Sequence, residues 1–242
     1  MYHLLRKQVI IPVILFFGAP VGLHAQYMKE IYRPNRDDMT YYFGLSLGYN
    51  STFLNFSRAP AFIQTDSIIV AEPGKSGGVT MGLLATARLN DHFQFRINPL
   101  LVIGGAKYLS YTLKTIAPGE SLNQLQTLPA TIVSFPFQVK FNSDRIKNFR
   151  TYMMAGLKYD IDLSSNSTAR SNLDLIRLNR TDYGYELGLG FNFYLPFVTI
   201  SPEIKISNGL ANLHRPDPAL KYSNVIDRIF SRMVVFSIHF ED

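Results

Sequence analysis

The stretch TDYGYELGLGFNFYLP, residues 181–196, restricts the fold more than any other part of the chain. From Asp182 to Asn192 every second residue is small or polar (Asp182, Gly184, Glu186, Gly188, Gly190, Asn192), and the alternates are Tyr183, Tyr185, Leu187, Leu189, Phe191 and Phe193. A period of two belongs to an extended strand with two unlike faces. One face is apolar throughout and aromatic at both ends; the other is glycine and charge. That combination fits a strand crossing a bilayer, with Tyr183 and Tyr185 at one interface and Phe191 and Phe193 at the other.

The start of the chain is consistent with export. Met1 to Gln8 carries Arg6 and Lys7 and no acid, Val9 to Leu23 is apolar but broken by Pro12 and Pro20, and Ala25 is a small residue before Gln26. These features predict a secretory signal peptide over 1–25, since the apolar run is short of the ~20 residues a membrane-spanning helix needs. Removing Arg6 and Lys7 from 24 basic residues leaves 22 against 18 acidic ones, a mild positive balance that does not point to nucleic acid. With no cysteine, disulfides and thiolate metal sites are excluded. After residue 25 no apolar run is long enough for a spanning helix, which leaves a closed barrel as the way to cross a membrane.

Alternating segments of barrel length recur eight times, near 41–50, 79–90, 93–113, 127–142, 149–163, 181–194, 198–206 and 229–240. Links two to three (Asp91-His92), four to five (Ser143 to Asn148) and six to seven (Leu195-Pro196) are short; the other four are long and rich in Pro, Gly, Asn and Ser. Outer-membrane barrels have short periplasmic turns and long outer loops. The expectation is an all-β, eight-stranded antiparallel up-and-down transmembrane β-barrel over residues 40–242. A periplasmic N-terminal segment at 26–39 precedes it, and both termini are periplasmic. A water-soluble barrel of the lipocalin kind would carry its large aromatics inside and its charges outside, the reverse of this pattern.

An eight-stranded barrel is just wide enough for side chains to fill. Arg88, Arg96, Lys140 and Arg150 should point inward near the periplasmic rim, and four neighbouring cations require something anionic. Internal pairing or water would answer them, as would Asp37-Asp38 folded under the rim or a partner's carboxylates. Higher up, antiparallel pairing of the fifth and sixth segments predicts a lumenal Lys158–Glu186 ion pair.

Catalysis has few candidates. Of His92, His214 and His239, only His214, with Asp217 and loop serines, could begin a Ser-His-Asp constellation, and a loop histidine is more often polar surface. AEPGKSGG at 71–78 lacks the first glycine of a phosphate loop, and its glycines read as flexibility in an outer loop. No cofactor or metal motif is present. Arg170, Arg177 and Arg180 in the third outer loop are candidate contacts for lipopolysaccharide phosphates, with solvated loop charge as the alternative.

YYFGLSLGYN at 41–50, FPFQVKFNSDRIKNFRTYMMAGLKYDIDL at 135–163, SPEIKISNGLANL at 201–213 and the closing FSIHFED together resemble the PorT family of Bacteroidetes outer-membrane barrels. The most specific parts are the turn with Ser143, Arg145 and Asn148 and the strand with Glu203, Lys205, Asn208 and Gly209. The resemblance implies a non-enzymatic part in the type IX (Por) secretion system, and in gliding motility where present, with other secretion components as partners. Arg145, Lys147 and Asn148, with the basic rim of Arg88, Arg96, Lys140 and Arg150, are the expected periplasmic contact, unless Ser143-Asp144 and Asn148 merely close a tight turn. A lipid A-modifying enzyme and a passive structural barrel are the competing possibilities.

Overall fold

The alternating segments become the walls of one closed antiparallel ring in the computed structural model, which describes residues 30–58, 68–105, 107–113, 123–128, 130–164, 177–215 and 226–242. The expected signal peptide at 1–25, Arg170 and Asp217 lie outside the described residues. A short 3-10 helix, Pro34–Asp38, precedes β1 (Tyr41–Arg58), β2 (Ile68–Arg88), β3 (Phe93–Ile97), β4 (Leu100–Gly104), β5 (Lys107–Leu113) and β6 (Asn123–Leu128). Then come β7 (Thr131–Asn142), β8 (Phe149–Asp162), β9 (Arg177–Leu178), β10 (Thr181–Tyr194), β11 (Thr199–Gly209), β12 (His214–Arg215) and β13 (Ile226–Glu241).

The ring runs β1, β2, β3 with β4, β7, β8, β10, β11, β13, and closes because β1 pairs with both β2 and β13. β3 and β4 form one wall, since each pairs with β2 on one side and β7 on the other. The break between them falls at Asn98-Pro99, where proline has no N–H to give the ladder. The flanking groups are still satisfied: Leu83 N–H donates to the Pro99 carbonyl (3.1 Å) and Asn98 N–H to that of Pro136 (3.2 Å). Counted this way the ring has the eight walls expected.

The three short turns lie at the end where the chain enters β1 and leaves β13, as the pairing of Gly44 with Glu241 and of Tyr41 with Ala87 requires. At the long-loop end, the upper half of β2 pairs with β5 and β5 with β6, while β9 and β12 form a separate two-stranded pair. β1 and β2 are therefore longer than the alternation at 41–50 and 79–90 suggests. The Gly-Lys-Ser triplet at 74–76, expected in a loop, lies in β2, with Ser76 and Lys75 opposite Thr52 and Phe53. Its backbone runs extended in a ladder, so it cannot form a phosphate-cradling loop.

The two faces divide as the sequence predicts. On β10, Tyr183, Leu187, Leu189, Phe191 and Phe193 are exposed, while Asp182, Glu186 and Asn192 are buried. At the short-turn end Phe93 packs on Phe141 (5.2 Å) and Phe149 on Phe193 (5.3 Å), an aromatic girdle of the interfacial kind. Inward glycines mark tight places: a Cβ on Gly184 would stand 2.0 Å from the Asn208 carbonyl oxygen. Among the described residues no helix is long and apolar enough to cross a membrane, a statement that does not bear on strands.

Candidate functional site: the filled lumen and its clasped rim

Among the described residues ten charged ones are buried, five basic (Arg36, Arg96, Lys140, Lys158, Lys205) and five acidic (Asp160, Asp182, Glu186, Glu203, Glu241). Apart from Arg36, which enters from the 3-10 helix, all are on alternating positions of wall strands, so the strand period that turns apolar groups to lipid turns these inward. Burying a charge without a partner is costly, and the equal numbers let each sign be answered inside the barrel.

The centre is Glu203. Its Oε2 accepts from Arg96 Nη2 at 2.5 Å and Tyr152 Oη at 2.8 Å, with His239 Nε2 at 3.4 Å. Arg96 Nε donates to Gln138 Oε1 (2.7 Å), Gln138 Nε2 to Glu186 Oε2 (2.8 Å), and Lys205 Nζ to the same Glu186 oxygen (3.2 Å). Lys140 sits 4.0 Å from the centre of the Tyr152 ring and 3.7 Å from Glu241. One hydrogen-bonded web thus joins β3, β7, β8, β10 and β11 across the lumen.

Two expectations need correcting. Lys158 pairs with Asp160 at 2.6 Å, and Glu186 with Lys205, so the Lys158–Glu186 pair does not form. The strands do pair, but in a register that sets Lys158 opposite Gly184 and Glu186 opposite Gly156. The long connection between β8 and β10 does not fix register as a tight hairpin would. Asp160 also accepts from Ser134 Oγ at 2.5 Å. Second, Arg96 and Lys140 are fully buried and cannot meet a partner; Arg96 is held by Glu203, and Lys140 faces Glu241. Arg88, on the rim, is held in its own turn by Asp91 at 2.6 Å.

The rim is occupied by the chain's own N-terminal segment. Asp37 accepts from Arg145 at 3.0 Å and Arg150 at 2.9 Å. Arg145 also donates to the carbonyls of Arg33 (3.2 Å) and Tyr32 and lies 3.8 Å over the Tyr194 ring, while Asn148 Oδ1 accepts from Tyr32 N–H at 2.8 Å. Arg33 binds Asp242 at 2.9 Å, tying the segment to the last residue of the chain. Arg36 reaches upward to Tyr42, 3.7 Å from the ring, and to Glu241 at 3.7 Å. Burial lowers the Arg36 pKa, opposed by Tyr42 and Glu241. Arg145, Asn148 and Arg150, expected to face a partner, therefore bind residues 32–37 of the same chain, and of that turn Lys147, at φ 56, stays exposed. Of the four cations expected at the rim, Arg150 alone is answered by Asp37; Arg88, Arg96 and Lys140 are answered by internal pairing with Asp91, Glu203 and Glu241.

Among the described residues no Ser-His-acid array using both ring nitrogens is formed. Ser237 Oγ (3.3 Å) and Glu203 both meet the same His239 nitrogen, Nε2, whereas a nucleophilic triad uses the two ring nitrogens separately; the ring is also fully buried. His214 is buried on β12, with Nδ1 3.4 Å from the Asp227 carbonyl oxygen, and His92 Nδ1 lies 3.2 Å from that of Asn142. No group of side chains suited to a metal ion occurs among the described residues. Of the loop arginines, Arg180 is exposed and Arg177 lies on β9.

Residues 33–215 match the family model described as outer membrane protein beta-barrel domain. The chain belongs to this outer-membrane β-barrel family. Solved structures similar to this outer-membrane barrel include Neisserial surface protein A, 13% identical over 81% of this chain and 95% of that one, with a TM-score of 0.41. OprG from Pseudomonas aeruginosa is 14% identical over 82% and 94%, with a TM-score of 0.40. Ail of Yersinia pestis, in complex with a heparin analogue, is 12% identical over 84% and 100%, with a TM-score of 0.38. No curated protein sequence matches.

Proposed function

We propose that this outer-membrane barrel is a non-enzymatic component of the type IX (Por) secretion system, of the PorT kind, needed for export of cargo proteins and for gliding motility where that occurs. The sequence phrases at 135–163 and 201–213 support the reading. The observation that carries it is the use made of the most distinctive phrase: Arg145 and Asn148 of the Ser143–Asn148 turn clasp the N-terminal segment and build a defined face at the short-turn end.

In this reading that end, with both termini, faces the periplasm, as short turns do in bacterial barrels. A lumen filled by paired charges offers cargo no passage, so the contribution to export is made by surfaces. Ile146, 69% exposed, and its neighbour Lys147 form the tip offered to periplasmic secretion components, and Arg180 faces lipopolysaccharide at the opposite end.

A deletion strain tests the role, with culture supernatant and periplasm analysed by mass spectrometry for proteins bearing type IX C-terminal signals. Cargo lost from outside and retained in the periplasm, with lipid A unaltered, supports the secretion role. Altered lipid A with normal secretion would point to the enzyme, and envelope fragility alone to a passive barrel.

A further inference from the structure

Five residues on five consecutive walls form one outward row: Tyr185 (β10) pairs with Asn208 (β11), Asn208 with Arg232 (β13), Arg232 with Phe53 (β1), and Phe53 with Lys75 (β2). The row carries two cations on the face that elsewhere meets lipid. Its height follows from the register. Phe193, Ile200, Phe240, Leu45 and Leu83 form a lower row on the same walls, eight residues away on every strand. Eight residues at ~3.3 Å cover about 26 Å along a strand, or about 20 Å of height at a tilt of ~40°, close to the ~25 Å apolar band of such barrels. Between the rows β10 and β13 turn Leu187, Leu189, Phe191, Val234, Phe236 and Ile238 outward. Arg232 and Lys75 therefore stand at the upper end of the apolar stretch of their own strands, on the long-loop side, and differ in height by about 6 Å because the row crosses tilted strands.

Arg232 is fixed by its neighbours and lies 5.8 Å over the Phe53 ring. Its Nε donates to Asn208 Oδ1 at 2.8 Å, and Nη1 and Nη2 have no hydrogen-bond partner among the described residues. Neither Arg232 nor Lys75 has a carboxylate partner among them, and both are exposed. A cleft of about 230 Å³, lined by Asn55, Tyr185, Asn208, Phe230 and Arg232 among others, opens beside the guanidinium. A guanidinium fixed through Nε presents its remaining N–H pair to two oxygens of one phosphate. We infer that Arg232, positioned by Asn208, and Lys75 bind the phosphate-bearing headgroup of a membrane lipid at the long-loop interface, with Phe53 and Tyr185 against its acyl chains. The secretion reading enters only in naming this leaflet the outer one; lipid binding is independent of any role in export.

The test is native mass spectrometry of the folded full-length chain in detergent, titrated with bis-phosphorylated lipid A, with phosphatidylcholine, and with inorganic phosphate as competitor. The expected result is selective lipid A binding that weakens about tenfold or more in Arg232→Gln/Lys75→Gln, with inorganic phosphate failing to compete at equal concentration. Asn208→Asp, which neutralises Arg232 in place, should weaken it in the same direction and serves if the double variant does not fold. Unchanged lipid A binding in these variants would overturn the inference, as would equal competition by inorganic phosphate, which would assign the site to the free ion.

Discussion

Arg96 on β3 reaches across the barrel to Glu203 on β11, Nη2 to Oε2 at 2.5 Å, between walls separated by three others in either direction. Lys140 and Glu241 face each other across the lumen in the same manner, between β7 and β13. Such pairs brace opposite walls, and their worth follows from burial, since removing one member leaves the other charged and uncompensated.

Arg96→Ala or Glu203→Ala should each destabilise the folded barrel by about 3–5 kcal/mol, whereas an apolar pair of similar volume at both positions should cost far less. The check is the urea midpoint of the heat-modifiable gel shift in detergent. Equal losses in the single and the paired apolar variants would remove the cross-lumen brace.

Asp37→Ala should free residues 32–38 without unfolding the barrel. Two arginines lose their carboxylate, and the Asp37–Arg145 coupling in a double-mutant cycle should come to about 1–3 kcal/mol. Hydrogen exchange read by mass spectrometry should quicken at the backbone amides of residues 35–38 while those of the strands stay protected.

Gly184→Ala should destabilise by about 1–3 kcal/mol or block closure, because the new Cβ meets backbone that cannot step aside. The clash is with the Asn208 carbonyl oxygen, 2.0 Å from the Cβ position. The folded fraction after refolding into detergent measures it.

His214, on β12 outside the spanning strands, supplies a pH dependence. Burial pulls its pKa below the ordinary 6.5, opposed by the Asp227 carbonyl and carboxylate. The unfolded segment then holds more protons than the folded one between the depressed value and 6.5, so the β9–β12 pair weakens as pH falls through that window and is unaffected above it. Hydrogen exchange of residues 212–215 should quicken between about pH 7 and about pH 5 beyond its intrinsic rate, and His214→Gln should abolish that extra change.

How much of this was legible in the sequence follows from the physics of each feature. The eight walls, their faces and the placement of the termini beside the short turns are local consequences of a two-residue period, which Tyr183 to Phe193 display directly. Asp37 under the rim was suggested by unanswered cations. The Lys158–Glu186 expectation failed because a long loop leaves register free by two residues. Arg96 and Glu203 lie 107 residues apart in sequence, and no spacing announces a partner on the opposite wall. The same limit hid the Tyr185 to Lys75 row, since it exists only once five strands are set in register.

The ring is closed and its lumen is filled by mutually paired charge. Planar lipid bilayer recording of the refolded full-length chain tests it most directly. The expected result is no steady conductance from the intact protein. A stable open channel passing small ions would contradict the filled lumen.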